Sequence, residues 1–576
     1  MVVEVSRGVY RCATIQADAV VVSTGRSLLE RGLALDRLQQ LYDQASATGD
    51  PQDILARALA ILKVDCEIEA GSLDWIPRSG PVLVTANHPF GLLEGALLAT
   101  LVHRLRPDVR ILANAALAAL PELRDLFIFA DVFGRRSAIA ANASALKECL
   151  QWLDRGGLLV AFPAGEVAHL RLRERAICES PWNPAAARLA QRTGATTVPI
   201  YIHGANSALF HAAGLIHPFL RTLRLPRELF NKEGRRISIR IGRPVAPATL
   251  RAFPDATGAI EHLRRRTDLL ARDTHAAAPA SPQLEPIADA IDPLLLADDV
   301  AALPPDRKLC ENGDLSVFLG SAAELPHVLR EIGRLREIAF RGAGEGTGHS
   351  RDMDRFDPHY QHLFLWNEST REVAGAYRLA ATPDILPRYG AAGLYTSTLF
   401  RFDARFFERM GPAIELGRSF VRPEYQKQYA PLLLLWKGIG RYAASRPECA
   451  MLFGAASISD SYRPESRDLI VRMLQQHTVE DLAPLVSPRN PYCAPAVRVP
   501  AGWDQLSKVI ADLEPDGKGV PVLIKQYMRS GGKVLAFNVD RAFSDALDAL
   551  VVVNLRDAAP ALKARLQNVT LQPTCS

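Results

Sequence analysis

The sequence predicts two α/β domains joined by a connector rich in alanine and proline. Three observations carry that prediction. From about Pro81, short apolar runs alternate with amphipathic helical stretches, the signature of helices layered on a central sheet. Around Ala276–Pro286 the periodicity stops and Ala, Pro and Ser dominate. A second alternation begins near Leu315-Ser316-Val317-Phe318-Leu319. The expected organisation is a first domain over 1–275, a linker over 276–305 and a second domain over 306–576. A chain of 576 residues has room for several domains of roughly 100–200 residues each.

The elements follow in order. Residues from about Leu28 to Leu62 place apolar side chains at three- and four-residue steps, which predicts helix. Val82–Ala86, Val109–Ala113, Leu158–Phe162, Thr197–Ile202 and Ile237–Ile241 read as strands. Ala96–Arg104 and Ala138–Leu153 read as the helices between them. The two halves share no motif, so no internal repeat is expected.

Composition narrows the class. Hydrophobic content is 48% and charged content 23%, ordinary for a globular protein. No apolar run reaches the roughly 18 residues of a membrane span. The first residues show no charged region leading into an apolar one, so no secretory signal is expected. The eight cysteines form neither a Cys-x-x-Cys pair nor a Cys/His cluster. That argues against a zinc site or a disulfide framework and for a reducing, cytoplasmic setting. Within 101–250 there are 21 Lys+Arg against 11 Asp+Glu. Such a surface suits phosphates, anionic lipid heads or an acidic carrier protein. No nucleic-acid-binding signature accompanies it, so nucleic acid is not an expected partner.

The most informative segment is Val84-Thr85-Ala86-Asn87-His88-Pro89-Phe90-Gly91-Leu92-Leu93-Glu94-Gly95. It reads as a buried strand, a turn bearing a histidine, and a helix start bearing a carboxylate. A general base and the group that orients it need this juxtaposition. A neutral imidazole can take a hydroxyl proton near neutral pH while a carboxylate fixes its tautomer. His88 is the candidate base and Glu94 its partner. Further on come Asp131-Val132-Phe133-Gly134-Arg135-Arg136, Phe162-Pro163-Ala164-Gly165-Glu166 and Val198-Pro199-Ile200-Tyr201.

These four blocks, in this order over roughly 70–250, resemble the glycerolipid acyltransferase family, which includes the lysophosphatidate acyltransferases. The resemblance implies an acyl thioester donor and a hydroxyl acceptor. It assigns Asn87, Arg135, Gly165 and Glu166 to substrate binding, with Arg136 as the alternative arginine. A glycine at 165 allows close backbone approach to an anionic group. Two departures stand out. Five residues separate His88 from Glu94 rather than four, and the acid of the third block follows its glycine. Both look like the branch of the family that acylates the hydroxyl of amino-acid-containing lipids.

The second half carries Arg336-Glu337-Ile338-Ala339-Phe340, then Asp352-Met353-Asp354-Arg355-Phe356-Asp357, Tyr377-Arg378-Leu379 and Glu415-Leu416-Gly417-Arg418. Over roughly 315–555 it resembles acyl-homoserine-lactone synthases and, more closely, amino-acid N-acyltransferases that make 3-hydroxyacyl-ornithine. Both have the acetyltransferase-like (GNAT) fold. An amine must be neutral to attack, so Glu415 is the candidate base, acting through water. Arg378 and Arg418 are candidates to hold a carboxylate or phosphate. Asp354 and Asp357 are candidates to pair a cationic side chain, whereas Asp352 and Arg355 read as an ordinary salt bridge. The stretch Arg422–Tyr429 lacks the glycine-rich turn that cradles coenzyme A in most proteins of that fold. Acyl carrier protein is therefore the expected donor, with acyl-CoA as the alternative.

Together the two resemblances imply a bifunctional synthase of an amino-acid lipid, with ornithine as the expected head group. The second domain would form the amide with a 3-hydroxyacyl group, and the first would esterify its hydroxyl. No metal or redox cofactor is implied. A lipid or lyso-lipid substrate implies peripheral attachment to the cytoplasmic face of the membrane, with Leu92–Leu105 and Leu215–Leu229 as candidate docking helices. Two alternatives are a lysophospholipid (1-acylglycerol-3-phosphate) acyltransferase with a regulatory or degenerate second domain, and a non-catalytic membrane or carrier-protein scaffold.

Overall fold

The computed structural model describes residues 34–47, 53–114, 124–130, 138–172, 174–272, 284–426, 430–541, 543 and 545–556. The chain divides into two compact units, Met1–Ala276 with Pro500–Gln505, and Ala277–Val499 with Leu506–Ser576.

The strands of the first unit are β1 (Asp65–Ala70), β2 (Val82–Ala86), β3 (Val109–Asn114), β4 (Phe127–Ala130), β5 (Leu158–Ala161), β6 (His169–Arg171), β7 (Ala176–Cys178), β8 (Thr196–Ile202) and β9 (Arg236–Ile241). Seven of them form one sheet in the order β1-β9-β8-β2-β5-β3-β4, while β6 and β7 form a small hairpin. All neighbours in the sheet run parallel except β8 and β9. Parallel central strands are covered on both faces, which explains why every residue of β2 and β5 is buried. The five strands read from the sequence all form. β1 and β4 were not anticipated.

Two helical expectations need refinement. Of the segment read as helical, Leu35–Ser46 and Ile54–Ile61 are helices, and residues 28–33 and 48–52 lie outside the described residues. The expected docking helix at Leu92–Leu105 is the helix Leu93–His103, whose Leu93, Leu97, Leu98, Ala99 and Val102 are buried in the sheet core. It packs inward and offers no docking face.

The second unit adds β10 (Lys308–Asn312), β11 (Leu315–Ser321), β12 (Gln361–Asn367), β13 (Glu372–Ala381), β14 (Phe400–Phe402), β15 (Ala413–Val421), β16 (Met451–Ile458), β17 (Val486–Pro488), β18 (Lys533–Asp540) and β19 (Ala546–Asn554). Its main sheet runs β10-β11-β12-β13-β15-β16-β19-β18. Neighbours are antiparallel except β15 and β16, which are parallel and pair only from Ala413↔Met451 to Glu415↔Phe453. Beyond Glu415 that pairing stops. Gly454 marks the point of closest approach: a Cβ there would lie 2.1 Å from the Leu416 carbonyl oxygen.

The stretch expected as a linker up to residue 305 is in part folded structure. Pro293–Ala302 is a helix, started by Asp292 as cap and proline in its first turn. Leu296 is buried against Ile332 and Phe364. Asp299 accepts hydrogen bonds from the backbone N–H groups of His327 and Val328, capping the next helix, Val328–Gly342.

Candidate active sites

In the first unit, β2, β5 and β8 are adjacent and parallel, so their carboxyl ends open at one edge. Open α/β sheets bind ligands at such edges. The loop after β2 carries His88 and the loop after β5 carries Phe162 to Glu166. His88 Nδ1 lies 2.6 Å from Glu94 Oε1, and Glu94 is fully buried. The Glu94 carboxylate is itself fixed by backbone N–H donors of Phe90 at 3.0 Å and Gly91 at 2.8 Å. The imidazole stacks on Phe162, centroid to centroid 4.7 Å. Burial alone would lower the His88 pKa, but the charge and hydrogen bond of Glu94 and the charge of Glu179 outweigh it and hold it above its ordinary value. The extra residue between His88 and Glu94 is accommodated, because the turn brings the longer glutamate side chain back to Nδ1. That leaves Nε2 for an acceptor hydroxyl.

Glu179 escaped sequence reading. It accepts the backbone N–H of His88 and the Trp182 indole N–H at 2.8 Å. Burial pushes its carboxyl up. No local pattern marks it, since it lies 91 positions from His88.

The other expected residues divide. Asn87 is 8% exposed and clamps β2 to β8, donating to the Ile202 carbonyl at 2.9 Å and accepting its N–H at 2.7 Å. These two contacts position the turn that carries His88. Gly165 is exposed with φ +68°, and nothing lies within 4 Å of where a Cβ would stand. Open backbone there fits an approaching anionic group. Glu166 accepts from Ser180 Oγ and from Arg221 Nη2 at 2.8 Å. Burial raises its carboxyl pKa, but those two partners bring it below the ordinary value. Arg135 and Arg136 lie outside the described residues.

In the second unit, the expected residues do meet, largely by pairing with one another. Asp357 is 1% exposed and accepts from Arg336 Nη1 at 2.8 Å and Arg378 Nη1 at 3.1 Å. Asp354 accepts from Arg378 Nη1 at 2.6 Å. Burial raises both carboxyls, yet the arginines hold both below their ordinary values. The Arg378 guanidinium also faces the rings of Tyr360 at 5.0 Å and Tyr395 at 5.3 Å. These charges pair with one another inside the protein, while Arg378 Nε and Nη2 and Asp354 Oδ2 keep no hydrogen-bond partner among the described residues.

Glu415 also sits in a buried polar network. It is 1% exposed and accepts from the Tyr360 hydroxyl and from the backbone N–H groups of Tyr395 at 3.2 Å and Thr396 at 2.8 Å. A carboxylate so engaged holds the 394–396 loop. Arg418 differs from Arg378 in its backbone. It adopts φ +48°, a left-handed conformation unusual for a non-glycine residue. Its guanidinium lies 3.4 Å from Asp352 and 3.5 Å from Asp354, longer than tight pairing, and its Nε has no hydrogen-bond partner among the described residues. The expected salt bridge of Asp352 is thus to Arg418. Of the segment read as lacking a coenzyme A cradle, residues 427–429 lie outside the described residues.

Comparison with known proteins matches both units. The model of an acyltransferase family covers residues 57–277, and the model of an acetyltransferase (GNAT) domain covers 335–436. A glycine N(alpha)-acyltransferase from Bacteroides thetaiotaomicron is 38% identical over 33% of this chain and 60% of its own length. A second, from Phocaeicola vulgatus, is 34% identical over 33% of this chain and 62% of its own. An L-ornithine N(alpha)-acyltransferase from Brucella abortus is 29% identical over 25% of this chain and 57% of its own. The chain thus spans about 60% of the length of the curated relatives it matches. It is a two-domain α/β protein with an N-terminal acyltransferase domain and a C-terminal GNAT domain.

Proposed function

We propose that this chain is a bifunctional acyltransferase that builds a doubly acylated amino-acid lipid. The GNAT unit transfers a 3-hydroxyacyl group from a thioester to the α-amine of an amino acid. The first unit then esterifies the 3-hydroxyl of that amide. There His88 Nε2 takes the hydroxyl proton as oxygen attacks the thioester carbonyl, and the carbon–sulfur bond breaks to release thiol. Glu94 holds the tautomer and stabilises the imidazolium. The observation that carries this reading is the buried Glu94 set 2.6 Å from His88 in a chain that also holds a GNAT domain. Amide formation alone gives that histidine pair no task. Acyl carrier protein is the proposed donor.

Ornithine is the proposed head group. Glycine is the second reading, favoured by the relatives at 38% and 34% identity. Lipid profiling by mass spectrometry of a host without amino lipids, expressing this chain, tests both. A new doubly acylated lipid supports the proposal and its head-group mass names the amino acid. A change confined to glycerophospholipid acyl composition supports the lysophospholipid alternative instead.

We also propose that the enzyme docks on an anionic bilayer. No helix among the described residues is long and apolar enough to cross a membrane. The helices Ala208–Ile216 and Pro218–Leu223 expose Leu209, Leu215, Ile216, Phe219 and Leu220. Arg224 and Arg227 follow directly, a basic complement to acidic head groups. Arg221, in the same segment, reaches back to Glu166, which links this face to the loop beside His88.

A further inference from the structure

Past the point where β15 and β16 part, the second unit gathers a cluster in which carboxyl groups outnumber cations. Arg418 and Ser457 stand on the two diverging strands. Asp548 on β19 pairs across to Ser457 on one side and to Asn538 on the other. The turn between β18 and β19 brings Asp540 and Phe543, whose ring lies 4.5 Å from the Arg418 guanidinium. Glu345 accepts from Ser457 Oγ at 2.7 Å. The Tyr395 ring lies 4.9 Å from the same guanidinium.

Asp548 is 6% exposed and Asp540 is 9% exposed. Asp548 Oδ2 is buried with no hydrogen-bond partner among the described residues. A buried carboxylate oxygen left unpaired is costly and calls for an explanation. Burial, then the charges of Asp540 and Glu345, raise the Asp548 carboxyl well above the ordinary range. Arg418 acts on it in the opposite sense, but it is already shared with Asp352 and Asp354. The same cluster therefore holds an unpartnered carboxylate oxygen and, on Arg418 Nε, an unpartnered cationic donor. An α-amino acid is a zwitterion with the complementary pair of groups.

We propose that this cluster lines the acceptor site of the amide-forming unit: Asp548, Asp540 and Glu345 receive the ammonium group, Arg418 receives the carboxylate, and Asp548 Oδ2 takes the proton that frees the amine. This rests on the amide-forming reading above. The balance is simple. The ammonium passes one proton to Asp548, and the neutral nitrogen attacks the thioester carbonyl carbon. The carbon–sulfur bond breaks, and the second proton leaves as the thiolate becomes thiol. Asp548 returns its proton to solvent. Glu415, engaged by three donors, is left to hold the loop that carries Tyr395.

The test uses the purified full chain, a 3-hydroxyacyl carrier-protein thioester, and ornithine or glycine, with N-acyl product measured by mass spectrometry. Asp548→Asn is expected to lower kcat by about 100-fold or more, the usual range for loss of a general base. Glu345→Gln, outside the sheet, is expected to raise the amino-acid KM several-fold with kcat nearly kept, more for ornithine than for glycine. If wild type forms no amide with either amino acid, the proposed function itself fails. If wild type is active and a folded Asp548→Asn keeps kcat within threefold, the assignment of Asp548 is overturned. Should Asp548→Asn not fold, an unchanged KM in Glu345→Gln overturns the acceptor site.

Discussion

The two units place charge in opposite ways. In the first, the base and its carboxylate come from one strand–turn–helix segment, His88 and Glu94, and meet at 2.6 Å. Their neighbours are mostly apolar or backbone. In the second, the charges come from distant segments: Arg336 and Asp357 lie 21 positions apart, and Asp354 and Arg378 lie 24. Once folded, they pair with one another. The charges of the local motif meet across one turn, whereas the charges gathered by the sheet pair across distant segments. Buried ions demand this, since an unpaired one costs several kcal/mol by general estimates.

Removing His88 gives the sharpest break between the units. His88→Ala should lower ester formation by about 100-fold or more while amide formation continues. Lipid profiles should then show the mono-acylated amide accumulating. Equal loss of both products would mean that the units are not chemically separate. Arg378→Ala sharpens the other side. It leaves Asp357 buried with one partner fewer and should destabilise the second unit by about 3–5 kcal/mol, read by thermal unfolding. A folded variant with a raised amino-acid KM would return Arg378 to the substrate.

Legibility followed the same division. The apolar runs of β2 and β5 announced themselves because strands buried on both faces carry few polar residues, while β9 showed as an alternation of isoleucine with polar residues. β1, Asp-Cys-Glu-Ile-Glu-Ala, sits at the sheet edge with polar side chains in solvent, so it offered no run to read. The helix Pro293–Ala302 had its signals, Asp292 as cap and proline in the first turn, but they lay inside a stretch whose composition suggested a tether. Glu179 was invisible because only the folded chain brings it to His88. Asn87 was visible, but its amide contact with β8 was not, because Ile202 lies 115 positions away. For Asp354, Asp357, Arg378 and Glu415 the spacing showed that the residues would meet. It could not show which pairs would form when they did.

The membrane face offers a smaller effect. Each fully buried large apolar side chain contributes about 1.5–3 kcal/mol. Ile216, 79% exposed, and Phe219, 45% exposed, should insert only partly. Ile216→Ser with Phe219→Ser is expected to weaken binding to phosphatidylglycerol vesicles by roughly tenfold, read by co-sedimentation, with amide formation unchanged. Vesicle binding equal to wild type would leave this face without its lipid role.

The smallest effect tests why the His88–Glu94 pair is built as it is. His88 must be neutral to accept a proton, so ester formation should rise with pH through its pKa. That pKa stands above the ordinary value: burial depresses it, while Glu94 and then Glu179 raise it by more. Glu94→Gln removes the larger of the two charges and keeps the burial. The acidic limb of the pH–rate profile should therefore move to lower pH, even as the maximal rate falls through loss of the imidazolium's partner. The signs of the two changes are opposed in value: more enzyme is in the neutral form at a given acidic pH, yet each neutral imidazole works less well. A limb that stays in place would show that Glu94 orients the ring without setting its charge, and Glu179→Gln would then be the variant that moves it.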